Sequence, residues 1–103
     1  MRVRIAENHD LSLEAEDDFK RFDVAVRGGA DALAAIRSDV APNVRIVDET
    51  TAWVDEQWLR SQPPRAADAA WQEAVSRMLA AVAPMGWYDA ERRAIKAHIA
   101  WND

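Results

Sequence analysis

Apolar and polar positions alternate at the start of the chain, with Val3 and Ile5 facing one way and Arg2 and Arg4 the other. A period of two is the mark of a strand with one wet face, so residues 2–6 are expected to be a strand. Asn8-His9-Asp10 ends it. Residues 11–20 are crowded with Glu14, Glu16, Asp17 and Asp18 before Lys20 and Arg21. That charge order suits a helix dipole, and Ser12 can cap a short helix there. Residues 22–27 fit two periods. Ala15, Phe19, Phe22 and Val26 form a helical stripe, whereas Phe22, Val24 and Val26 alternate as a strand would. The β-branched residues running into Gly28-Gly29 favour the strand. Residues 31–39 place Leu33, Ile36 and Val40 on one helical side, and Pro42 closes the segment.

From Asn43 onward the local signals agree. Residues 44–47 should be a strand, residues 48–51 a turn and residues 52–54 a returning strand. The turn holds no glycine, which points to a connection built on a type I turn. Asp55 can cap a short helix reaching Ser61, with Val54 and Leu59 at hydrophobic-staple spacing. Pro63-Pro64 ends that segment. A main helix is then expected over 65–83, where Trp71, Ala74, Val75, Met78 and Val82 recur at helical intervals before Pro84 and Gly86. Residues 94–101 read as a strand with Ile95, Ala97, Ile99 and Trp101 on the core side. A helix capped by Asp89 is the competing assignment, and the aromatic and β-branched content favours the strand.

These elements assemble most simply as one α+β domain over residues 1–103: a two-layer sandwich with a small, mainly antiparallel sheet. Its strands would lie near 2–6, 44–47, 52–54 and 94–101, with 22–27 as a candidate fifth. The 65–83 helix, assisted by a shorter one at 31–39, would cover one face. Exposed sheet edges on so small a domain favour self-association.

Composition narrows the chemistry. The chain has no cysteine, so disulfides and thiolate metal sites are excluded and a reducing compartment is expected. Its net charge of −5 denies it the general field that gathers nucleic acid. No apolar run approaches the roughly 18 residues a membrane span needs, and cytoplasmic residence is the expectation. No His, Asp or Glu pair has metal-ligand spacing, and no glycine-rich frame suits a phosphate. No cofactor is therefore expected.

Five tryptophans are the most unusual feature. Trp71 belongs to the core stripe of the main helix, and Trp53 and Trp101 belong to the core or a sheet face. Trp58, beside the proline break, and Trp87, in a turn next to Tyr88, are the candidates for an exposed recognition surface. A second candidate follows from strand parity. If strands 2–6, 44–47 and 94–101 share a sheet, then Arg2, Arg4, Arg45, Lys96 and His98 emerge on its non-core face. Such a patch would suit a small anionic ligand through arginine forks. The plainer account is that these charges pair with neighbouring carboxylates.

Three function classes follow. The leading expectation is a non-catalytic module recognising a protein partner, of which an antitoxin-like protein neutralising a basic partner is one version. The others are a small cofactor-free enzyme using His98 as acid or base, and an accessory subunit of a larger assembly.

Overall fold

The computed structural model describes residues 1–102 and has mixed α and β content. The strands are β1 (Arg2–Ile5), β2 (Leu11–Glu14), β3 (Asp23–Arg27), β4 (Val44–Ile46), β5 (Thr51–Asp55), β6 (Tyr88–Asp89) and β7 (Ala94–Asn102). Three α-helices accompany them: α1 (Leu33–Val40), α2 (Glu56–Arg60) and α3 (Ala69–Val82). The strands form one curled sheet in the order β2-β1-β3-β7-β5-β4, and β6 adds to β7.

The α+β expectation holds, but the sheet is mixed, not mainly antiparallel. β1 runs parallel to β3, and β3 runs parallel to β7. The β1–β2, β4–β5, β5–β7 and β6–β7 contacts are antiparallel. The last strand inserts between β3 and β5, parallel to the first and antiparallel to the second. The sheet curls as a half-barrel with helices on one face, which departs from a flat two-layer sandwich.

Two element assignments also change. Residues 11–14 are a strand and not the start of a helix, because Leu11 and Leu13 alternate with Ser12 and Glu14 and pair with Ile5 and Val3. The expected 65–83 helix divides at Asp68. A 3-10 turn spans Arg65–Ala67, and α3 starts at Ala69 because the Asp68 side chain accepts a hydrogen bond from the Trp71 backbone N–H. The other expected strands appear in place, including the one at 22–27, and Asp55 caps α2 by accepting from Trp58 N–H.

Every core-facing strand position points to the helix-covered side. Val3, Ile5, Val24, Val26, Val54, Ala97 and Ile99 pack with Ile36 and Val40 of α1. Met1 and Ile95 pack with Leu59 of α2 and with Trp71, Val75, Met78 and Leu79 of α3. Burying each large aliphatic side chain contributes about 1.5–3 kcal/mol, which fixes the parity of the sheet. The opposite face carries no helix. The larger side chains that alternate outward from these strands therefore reach solvent, whereas Ala25, between Arg4 and Ala100, is buried.

Candidate functional site

The corner where α3 ends and β6 meets β7 is built by three local devices. A 3-10 turn over Ala83–Met85 follows α3, and Gly86 then takes the left-handed conformation at φ 81°. That turn reverses the chain, so that Trp87 N–H donates to the Val82 carbonyl at 3.2 Å. The Trp87 carbonyl then accepts from Lys96 N–H at 2.8 Å, which lays Trp87 along the edge of β7.

A buried carboxylate holds β6 in that place. Glu56 is 4% exposed, the one buried charged residue among those described. It accepts hydrogen bonds from the Tyr88 hydroxyl, from Arg60 Nε at 2.7 Å and from Arg93 Nη2 at 3.5 Å. Arg60 continues the network to the Gln72 side chain and to Ser76 Oγ at 2.9 Å, tying α2 to α3. Burial alone would push the Glu56 pKa up. The hydrogen bonds from Tyr88, Arg60 and Arg93 outweigh it and hold the carboxyl below its ordinary range. The same bond to Glu56 pushes the Tyr88 phenol up. With every buried side-chain polar atom satisfied among the described residues, this cluster is a structural lock.

Beside the lock, the edge of β7 is uncovered between Trp87 and the start of β3, and a cleft of about 240 Å³ opens there. Phe19, Phe22, Met78, Val82 and Ile95 line it, with Met85 and Trp87 at its mouth. Met85 is 65% exposed and Trp87 41%, an unusual outlay of apolar surface on so small a domain. Lys20, Arg21 and Lys96 complete the lining. Lys20 and Lys96 are the only lysines in the chain. The Lys96 ammonium stands 5.5 Å from the centroid of the Trp87 ring, within cation–π range. A shallower depression continues along α3, sharing Phe19, Met78 and Val82 and adding Ala74 and Ala81.

Strand register places the residues read from sequence. Arg2, Arg4, Arg45, Lys96 and His98 all lie on the uncovered face, but in separate groups. Arg2 sits opposite Asp23, which sits opposite His98, which sits opposite Thr51. Arg2 binds Asp23 through both carboxylate oxygens at 2.9 Å, and Arg4 binds Glu14 at 2.8 Å. Those bonds hold the Asp23 and Glu14 carboxyls below their ordinary range. His98 is exposed and lines none of the clefts described here. Farther along, Lys96 sits opposite Trp53, and Trp53 sits opposite Arg45. Among the described residues neither Lys96 nor Arg45 makes an ion pair, and the same is true of Lys20 and Arg21.

The tryptophans divide by environment. Trp71 is buried and its indole N–H donates to the Glu16 carbonyl at 2.7 Å. Trp101 is half-buried and donates to the Glu49 carbonyl at 2.7 Å. Trp58 is half-buried against both parts of the core and edges a shallow depression with Pro42 and Asn43. Trp87 alone stands in the apolar cleft. Sequence reasoning missed Lys20, Arg21, Phe22 and Met85 as site residues. One signal was readable: the two lysines of an arginine-rich chain, each within two residues of a large apolar residue.

No family model, curated protein or solved structure matches this chain. No helix among the described residues is long and apolar enough to cross a membrane.

Proposed function

We propose that this domain is a non-catalytic protein-binding module and that it docks a segment of its partner in the Trp87 cleft. The observation that carries the reading is the coincidence at one corner of two exposed large apolar side chains, Met85 and Trp87, with cations that make no ion pair among the described residues. Exposed tryptophan and methionine are enriched where proteins meet, and a rigid aromatic over an apolar floor is the usual anchor of a binding hot spot. The lock at Glu56 supports this further, since it fixes the position of Trp87 before any partner arrives. Pre-organisation of that kind lowers the ordering cost of association.

An enzyme built on His98 receives less support. The imidazole stands on an open sheet face, with no wall to exclude water or orient a substrate. An acidic domain confined to the cytoplasm, pairing with a protein or with a second copy of itself, fits the cleft reading and belongs to the same proposal.

A displayed library of random peptides, selected on the intact chain and counter-selected on Trp87→Ala, tests it. The expected result is a recurring pattern of peptides that bind the parent and lose about tenfold or more in affinity on the variant, the loss of one buried anchor. Recovery of no peptide that distinguishes the two proteins would overturn the reading.

A further inference from the structure

We infer that the partner segment is acidic, and that it leaves the cleft across the uncovered sheet face over Lys96, Trp53 and Arg45. This rests on the cleft being the docking site and adds the chemistry and path of the occupant. Lys96 belongs to both surfaces. Its ammonium covers the Trp87 ring at the mouth of the cleft, and its backbone position faces Trp53 of β5, which faces Arg45 of β4. Cation, aromatic and cation thus form one row on the face that no helix covers.

The same face explains why this row is free while its neighbours are not. β2 and β3 bring Glu14 and Asp23 to Arg4 and Arg2, which consumes both arginines internally. The outward positions of β5 supply no such carboxylate to the row: Thr51 and Trp53 offer none, and Asp55 is committed to capping α2. On a chain of net charge −5, two bases that make no ion pair among the described residues, flanking an indole, are a local reversal of sign. Adjacent strands lie about 4.8 Å apart, so the anchor points of Lys96 and Arg45 are about 10 Å apart. Two carboxylates a few residues apart on an extended chain, rising about 3.3 Å per residue, span that distance. A side chain between them would lie on Trp53. A polynucleotide is the less favoured occupant, because long-range repulsion from the acidic domain grows with every further phosphate.

The test uses acetylated, fluorescently labelled peptide pools of identical apolar content but acidic, neutral or basic charge, with a single-stranded oligothymidylate alongside. Binding to the intact chain is read by anisotropy. The acidic pool is expected to bind about tenfold or more tighter than the basic pool, consistent with gain at two exposed contacts and repulsion in the other case. Arg45→Gln should shrink that preference about threefold or more and leave the neutral pool unchanged. Met85→Ser and Trp87→Ala should weaken all three pools, and the exposed Met85 site keeps this arm usable if Trp87→Ala does not fold. Pools that bind equally while both cleft variants still weaken them would overturn the acidic path and leave the cleft standing. Binding by no pool, or indifference to both cleft variants, would overturn both. Tighter binding of the oligothymidylate than of the acidic pool would overturn the peptide assignment.

Discussion

Glu56→Gln tests how the Trp87 corner is held. The amide keeps the volume of the side chain and one acceptor oxygen, but it places an NH₂ where the second carboxylate oxygen accepted. Tyr88 donates to one oxygen, and Arg60 and Arg93 donate to the other. Turned with its oxygen to Arg60 and Arg93, the amide donates to the Tyr88 hydroxyl, so the substitution removes the charge that strengthens the three bonds and reverses the one to Tyr88. A hydrogen bond to a charged group is worth about 1.5–3 kcal/mol, and breaking a fully buried pair costs about 3–5 kcal/mol. Arg60 keeps Gln72 and Ser76, and Arg93 is largely in water, so the lower end applies. The expected loss is about 2–3 kcal/mol, a fall in Tm of roughly 8–15 °C for a domain of this length. Thermal and urea unfolding at neutral pH measure it. The pH dependence gives an independent check. Because the folded Glu56 carboxyl lies below its unfolded value, its contribution is present above that value of about 4.3 and is lost as pH falls through the folded one. The difference between parent and variant should therefore narrow below about pH 4. A loss under about 0.5 kcal/mol at neutral pH, the range of ordinary surface changes, would refute the lock.

Two further substitutions probe the elements that deliver the site. Asp68→Ala removes the cap that starts α3, and unfolding measurements should show a loss of about 0.5–2 kcal/mol. Gly86→Ala adds a Cβ that meets nothing within 4 Å, so its cost is that of the left-handed backbone alone, about 1–2 kcal/mol. A loss much above that range in the Gly86 variant would mean that the turn contributes through contacts and not through conformation.

How much of this was legible before the structure follows from whether each signal is local. The stretch from Val44 to Leu59 folds as its pattern predicts because strand parity, the Asp48 turn and the Asp55 cap all act within a few residues. Asp48 accepts from the N–H groups of Thr50 and Thr51, as a turn without glycine requires. β2 was hidden because four alternating residues sit in a tract whose charge order also suits a helix, and only pairing with β1 decides between them. The parallel pairings of β3 carry no local signature, so the mixed topology could not be read. The site behaves the same way. Trp87, Lys96 and Arg45 were visible from composition and parity. Lys20, Arg21 and Met85 become site residues only where the 19–22 segment and the end of α3 meet the edge of β7. Asp23 and Glu14 divide the expected cationic face because β3 inserts between β1 and β7 and β2 flanks β1, an order that parity alone could not give.

The chain's restriction to two lysines, both lining the cleft, makes amine acylation the most direct test of the central claim. Lys20 and Lys96 of the free protein should react with a small acylating reagent at rates typical of accessible amines. With an amine-free acidic peptide bound to saturation, both rates should fall about tenfold or more, as expected for groups held out of the open state. Unchanged acylation of both lysines in the saturated complex would contradict the account, because the peptide would then be bound somewhere other than the Trp87 cleft.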